Sequence, residues 1–388
     1  MRKRRAAPSF LIPLGGPDAN AAGLGALSAP TLPHFASRLV RWQRQHGRHD
    51  LPWQVRDPYR VWLSEIMLQQ TQVATVIDYY ARFTALFPTV QALAEAPEDA
   101  VLAAWSGLGY YQRACNLHRC AQIVVETHGG AFPQTAESLA TLPGIGPSTA
   151  AAIAVFCFDE RAAILDGNVQ RVLCRSHGID DPVPTTATTR KLWSLARSLL
   201  PEAQDMAAYT QGLMDLGATL CKPRQPACTE CPFATDCRAH LAGDPQRLPV
   251  RKAARKSRPQ RSTVMLWLRN SPDGLCWLEK RPQLGLWPGL WSLPQFDATE
   301  QALQFAAQIG PVIGQRELAP FRHAFTHFEL TVRPLLVDVQ AQPRAAEPQG
   351  QWLALEQAAQ LGLPAPVRSL LLQQVPPADA PPPAVLHK

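Results

Sequence analysis

The sequence predicts an all-α half followed by a smaller α+β half, and three observations predict it. Between His34 and about Ala239 the apolar residues recur with the period of helices. Past a basic, proline-containing segment from about Gly243 to Arg261, the period shortens to that of strands. Near the end of the helical half stand four cysteines in seventeen residues, Cys221-x6-Cys228-x2-Cys231-x5-Cys237, the pattern of a metal-binding segment.

Taken in order, residues 1 to about 33 are rich in Ala, Gly and Pro, lack periodicity and read as a disordered tail. Their basic start precedes an apolar stretch of only Phe10 to Leu14, interrupted by Pro13, which is too short for a signal peptide. Helical stretches follow at Arg60 to Phe87, Asp99 to His128 and Thr188 to Leu200. Phe87-Pro88, Gly129-Gly130, Phe132-Pro133 and Pro143-Gly144 supply turn signals between them. Beyond the linker, STVMLWLRN, GLCWLEKR and LTVRPLLVDV read as strands, with helices near Thr299 to Ile309 and Leu353 to Leu361. The chain closes on a Pro-rich tail, VPPADAPPPAVLHK.

At 388 residues there is room for two or three domains with cores of their own. Nine cysteines, an odd number with one metal-type run, point to a reducing compartment, and no run reaches the length of a membrane span. The expectation is a soluble, intracellular protein that is not secreted. The net charge of +7 is concentrated in Arg2 to Arg5 and in seven cations between Arg247 and Arg261, leaving the remainder at −4. Cationic segments of this kind suit a polyanion such as DNA.

Several short motifs carry chemistry. In LPGIGPSTA, Gly144-Ile145-Gly146 forms a tight hairpin between two helical patterns. Its glycines admit close approach to a phosphate, and the helix opening near Ser148 offers free N–H groups. In ILDGNVQRVLCR, Asp166 stands before a helix and reads first as its cap. In VWLSEIMLQQTQV, Glu65 lies among Val61, Trp62, Leu63, Ile66, Met67 and Leu68, company that would desolvate a carboxylate and raise its pKa. The four cysteines suit a cubane 4Fe–4S cluster, since only the middle pair has zinc-knuckle spacing. A zinc site that draws on His240 stays open.

The cluster spacing, the LPGIGPSTA hairpin and the LDGN segment together resemble the helix-hairpin-helix base-excision glycosylases related to endonuclease III. LPWQ (Leu51 to Gln54), SEIMLQQTQV (Ser64 to Val73) and GLGYYQRA (Gly107 to Ala114) narrow the resemblance to adenine DNA glycosylases of the MutY type. The match runs over roughly residues 35 to 370. It implies an all-α helix-hairpin-helix glycosylase core with an iron–sulfur cluster domain, plus an α+β Nudix-like C-terminal domain. The implied division is a tail at 1–33, a glycosylase domain at 34–242, a basic linker at 243–261, a Nudix-like domain at 262–375 and a tail at 376–388. Within 34–242, a six-helix barrel would span about 50–160, and a cluster domain would combine 34–49 with 161–242.

The resemblance also implies a reaction: removal of adenine opposite 8-oxoguanine or guanine in duplex DNA, after the base is flipped out of the stack. Glu65 would protonate adenine N7, Asp166 would stabilise the oxocarbenium-like sugar, and Asn168 would orient Asp166. Arg48, Trp53, Leu68 and Gln211 match pocket positions. Gln70 and Tyr110 match residues that wedge into the duplex. Cys221, Cys228, Cys231 and Cys237 would hold one 4Fe–4S cluster. Gly144, Gly146, Lys222 and Arg224 would meet the DNA backbone. Ser148 stands where bifunctional relatives carry a lysine, and Gln170 where some have another. A hydroxyl cannot form a Schiff base, so the expectation is a monofunctional glycosylase. After GLWPGLWSLPQF the Nudix metal-binding helix is absent, which implies a recognition domain whose Phe325, Thr326 and His327 sense 8-oxoguanine. The implied form is a monomer in the bacterial cytoplasm, associated with the nucleoid and with no membrane contact.

Overall fold

The computed structural model describes residues 32, 34–252, 258–271, 273–282, 285–325, 327–340 and 350–372. Thr326 and the two expected tails lie outside them, apart from Leu32. Twelve helices make up the helical half: α1 Phe35–His46, α2 Pro58–Leu68, α3 Val73–Leu86, α4 Val90–Glu95, α5 Glu98–Trp105, α6 Gln112–His128, α7 Ala136–Leu139, α8 Pro147–Phe158, α9 Gly167–His177, α10 Thr186–Ser198, α11 Met206–Thr219 and α12 Arg238–Leu241. None of the described helices is long and apolar enough to cross a membrane.

Local chemistry sets many of these boundaries. Asp57 caps α2 by accepting from the Tyr59 and Arg60 N–H groups, and Pro58 occupies the first helical position, where its missing N–H costs nothing. Thr185 caps α10 in the same way, and α6 ends on Gly129 in the left-handed region. Two stretches that read as continuously helical are each broken in the middle. Arg60 to Phe87 is α2 and α3 with a break at Gln69–Gln72, and Asp99 to His128 is α5 and α6 with a break at Ser106–Tyr111. Gln70 (φ 59°) and Tyr110 (φ 48°) are the turning points, in a backbone region that non-glycine residues seldom adopt.

The helices pack around two cores. Trp62, Leu63, Met67, Phe83, Trp105 and Leu117 anchor the first, built from α2 to α8. Leu39, Val169, Leu173, Leu192, Leu216 and Phe233 anchor the second, built from α1 and α9 to α12. A cleft opens where α2 and α8 of the first group face α9 and α11 of the second.

The C-terminal half is a mixed sheet: β1 Gln260–Asn270, β2 Cys276–Lys280, β3 Trp291–Ser292, β4 Gln295–Phe296, β5 Val312–Glu317, β6 Phe321–Ala324, β7 Glu329–Val339 and β8 Gly350–Leu353. The main path runs β3-β2-β1-β7-β5, with β1 parallel to β7 from Gln260 opposite Glu329 to Asn270 opposite Val339. Alternation sorts the side chains. Val264, Leu266, Leu268, Val337 and Val339 pack under α13 Thr299–Ile309, while Met265, Trp267, Leu278 and Leu336 join the first helical core from the other face. Helices α14 Leu355–Ala358 and α15 Ala365–Leu372 are the last elements among the described residues. The helix expected over Leu353 to Leu361 is thus shorter, because Leu353 pairs with Cys276 in the sheet.

Candidate active site

A cleft of ≈ 1530 Å³ gathers most of the residues expected for catalysis and for the adenine pocket from separate elements. Arg48, Trp53, Glu65, Leu68, Gln70, Ser148, Asp166, Asn168 and Gln211 all line it. Glu65 stands on α2 between Ser64 and Ile66, with Val61, Trp62, Leu63 and Met67 buried around it. Part of its surface faces the cleft, but protein encloses the carboxyl so fully that desolvation pushes its pKa up to about 8. The charge of Asp166 adds to that rise, so Glu65 lies within its electrostatic reach across the cleft.

Asp166 is both helix cap and cleft residue. Its Oδ1 accepts from the Val169 N–H at 2.7 Å, which starts α9. Burial raises its pKa, while N–H groups of Val169 and Asn168 and the Arg171 guanidinium pull it back down. The Asn168 amide oxygen is itself held by Arg171 at 2.8 Å. Ser148 does not reach freely into the cleft. Its Oγ accepts from the Leu165 N–H at 3.0 Å, bracing the segment that delivers Asp166.

Across from these groups lies a residue that sequence reading missed. Asp215 is completely buried and accepts from Arg48 Nε at 2.7 Å, from the Arg48 N–H at 2.9 Å and from Gln211 Nε2 at 2.9 Å. Two expected pocket residues are therefore set by a third, one helical turn after Gln211 on α11. That i, i+4 spacing was the available signal. Trp53 packs its ring edge-on to Tyr80, 5.5 Å between centroids, and forms part of the apolar wall.

Gln70 borders the cleft and is exposed; Tyr110 lies outside the lining with 53% of its surface exposed. Arg113 joins their two loops. Its Nη1 donates to the carbonyls of Ile66, Met67 and Gln69, and its Nη2 to those of Leu108 and Gly109, all within 3.3 Å. A planar fork with fixed donors suits such convergence of carbonyls. Sequence reading also passed over this arginine, although it sits inside the GLGYYQRA motif.

The hairpin stands apart from the cleft. Gly144 adopts φ 77°, and a Cβ there would come within 2.9 Å of the Asn116 Cβ, so both conformation and space require glycine. Gly146 precedes Pro147 at the open start of α8.

Cys221, Cys228, Cys231 and Cys237 are free thiols, and three of them pack against the second core. Among the described residues, no three His, Cys, Asp or Glu side chains gather closely enough for a single metal ion. The thiols nonetheless share a field. Burial, followed by the charges of Cys221, Cys237 and Cys228, pushes Cys231 up to about 12. Four thiols on one short segment, three of them within electrostatic reach of Cys231, fit the donor set of a multi-iron cluster. Arg175, buried on α9, donates to Cys221 Sγ at 3.4 Å and to the Lys222 carbonyl at 2.7 Å, leaving Lys222 and Arg224 themselves exposed.

In the C-terminal half, Phe325 stacks on Phe328 with centroids 4.5 Å apart and touches Trp287 and His323. The Phe325 N–H donates to the Phe328 carbonyl at 2.8 Å, closing a tight turn that exposes His327.

Residues 63–198 match the family of HhH-GPD superfamily base excision DNA repair proteins, and residues 264–373 match the NUDIX domain. The chain is 35% identical to an adenine DNA glycosylase of Buchnera aphidicola (Acyrthosiphon pisum), over 87% of this chain and 96% of that protein. It is 37% identical to the mouse adenine DNA glycosylase over 83% of this chain and 74% of that one. With the human adenine DNA glycosylase the figures are 36%, 83% and 70%.

Proposed function

The chain belongs to the adenine DNA glycosylases of the HhH-GPD base excision repair superfamily, and on that premise we propose that it removes adenine paired with 8-oxoguanine or guanine, as a monofunctional enzyme. One observation carries the assignment of roles: two carboxyls face one cleft in environments that set them apart. With a pKa near 8, Glu65 is protonated at neutral pH and can act as an acid. Asp166, held by backbone N–H groups and Arg171, stays the better-stabilised anion.

The adenine is flipped from the duplex into the cleft, where Arg48 and Gln211, fixed by Asp215, border it. Glu65 gives its proton to adenine N7. The glycosidic C–N bond then breaks, and its electron pair leaves with the base. The Asp166 carboxylate stabilises the positive sugar, and Asn168, itself held by Arg171, keeps that carboxylate in place. Water adds to C1′ and returns a proton to Glu65, leaving an abasic site. Ser148 has no amine to attack the sugar, and its hydroxyl is already engaged by Leu165.

The four cysteines would hold one 4Fe–4S cluster, which when bound would brace the loop that presents Lys222 and Arg224 to phosphates. Tyr110 and Gln70 would enter the duplex, and Gly144 and Gly146 would follow its backbone. The C-terminal domain would read the opposite base through Phe325, Thr326 and His327. Pyrophosphate hydrolysis by that domain is disfavoured by α13, whose only carboxylate is Glu300. The reading places the enzyme as a monomer in the bacterial cytoplasm.

The test is a duplex with one adenine opposite 8-oxoguanine, or opposite guanine, incubated with purified protein and then split between alkali and neutral buffer. Breaks only after alkali are expected. Efficient nicking without alkali, or a strong borohydride-trapped crosslink, would overturn monofunctionality. No release from either pair would overturn the substrate assignment.

A further inference from the structure

The C-terminal half meets the helical core at the loop that carries Tyr110. The Tyr111 hydroxyl donates to the Leu363 carbonyl at 2.8 Å and accepts from the Gly107 N–H at 3.4 Å. Ser106 Oγ donates to the same carbonyl at 3.3 Å. One backbone oxygen of the C-terminal half thus receives two hydroxyls from a single loop of the core. Its neighbour Gly362 lies directly on α5, where a Cβ would come 2.9 Å from the Leu102 Cβ and 3.1 Å from its carbonyl carbon. Any side chain there would force the two halves apart. Lys280 adds an ion pair to Asp99 at 2.7 Å on the same face.

These bonds continue inward. Tyr110 (φ 48°) holds a left-handed conformation that a non-glycine residue would leave in a free loop, so the contacts around it maintain the shape, while Gly107 (φ 105°) and Gly109 (φ 70°) take theirs without strain. From the outer side the holders are Tyr111 and Ser106; from the inner side, Arg113 grips Leu108 and Gly109. The same guanidinium grips the Gln69 carbonyl, next to Gln70 and at the end of the helix that carries Glu65. An unbroken run of hydrogen bonds and peptide links therefore connects Leu363 to both exposed loop tips.

We propose that Tyr111 is a positioning residue that ties the placement of the C-terminal domain to the loop carrying Tyr110, so that the base read by that domain sets how well adenine is presented. This rests on the reading that the C-terminal domain senses the base opposite adenine. A domain seated on its preferred base holds Leu363 against Tyr111 and keeps the loop in its strained form. A poorly seated domain withdraws that support.

The full-length, cluster-loaded Tyr111→Phe variant tests the coupling, because it keeps the ring and removes only the hydroxyl. Single-turnover rates are measured on duplexes with adenine opposite 8-oxoguanine and opposite guanine. Base extrusion is followed by the fluorescence of 2-aminopurine in place of the adenine. The ratio of the two rates is expected to fall about three- to tenfold, in keeping with the loss of one buried hydrogen bond. The slow guanine-paired rate and the pH profile of the chemical step should stay unchanged. Ser106→Ala, at a half-buried site, should move the ratio the same way by less, and serves if Tyr111→Phe folds poorly. A wild-type ratio in both variants, or equal slowing on both duplexes, would overturn the coupling. If the wild type itself shows no preference between the two bases, the sensing role of the C-terminal domain fails, and the coupling with it.

Discussion

Replacing Glu65 by glutamine keeps the shape of the side chain and removes its titration, and both consequences can be measured. The folded pKa of about 8 stands above the ordinary carboxylate value of 4.5. As pH rises from 4.5 toward 8, the unfolded chain releases this proton before the folded protein does, so stability falls across that window and levels off above it. The penalty comes to roughly 2–3 kcal/mol at pH 7 and roughly 3–5 kcal/mol above pH 9, the lower figures allowing for water in the open cleft. Glu65→Gln escapes it. Urea unfolding of both proteins at half-unit steps from pH 5 to 9 should give a stability difference that grows in favour of the variant and flattens past pH 8. Adenine release by the same variant should fall by at least about 100-fold, the usual worth of a positioned acid, with mispair binding retained. A flat difference curve would refute the raised pKa, and surviving release would refute the acid role.

Asp215→Asn should leave Arg48, a quarter of whose side chain is exposed, beside a neutral amide at a fully buried position. A stability loss of about 1–3 kcal/mol is expected by urea unfolding, below the cost of stranding a fully buried charge, with slower single-turnover release. Arg113→Lys keeps the charge but not the fork, so mispaired-duplex affinity measured by anisotropy should drop about tenfold while affinity for undamaged duplex changes little. The purified protein should absorb broadly in the visible and contain about four irons per chain, both lost in a Cys231→Ser variant. Arg224→Ala should weaken binding to every sequence alike and reduce the slope of log affinity against log salt by about one, without altering the chemical step.

Where a segment is periodic and held by its own backbone, the sequence was a good guide: Thr299 to Ile309 is a helix over those same residues, and STVMLWLRN lies within β1. Within the cleft, Glu65 stood out by its apolar company, whereas Asp166 read first as a helix cap and Arg48 and Gln211 entered only through the family resemblance. The breaks at Gln69–Gln72 and Ser106–Tyr111 were not legible. Arg113 satisfies the Gln69 carbonyl from 44 residues away, and the Leu108 and Gly109 carbonyls from just past the second break, so the first break depends on a partner remote in sequence. Asp215 was hidden for a related reason. A lone acid on an amphipathic helix reads as a solvated position until the fold brings Arg48 onto it. Helix α15 escaped notice because its eight residues lead into a proline-rich end.

The two carboxyls of the cleft stand in unequal relation to folding. Burial raises the pKa of both, so each detracts from stability once ionised, but Asp166 recovers about 1 kcal/mol as the cap of α9, and no cap role offsets the cost at Glu65. A lineage that no longer needed the reaction would have reason to keep Asp166 and to shed Glu65. The glutamate is therefore the more faithful witness: its presence speaks for continued use of the cleft, while the aspartate would linger in a retired copy simply to start a helix.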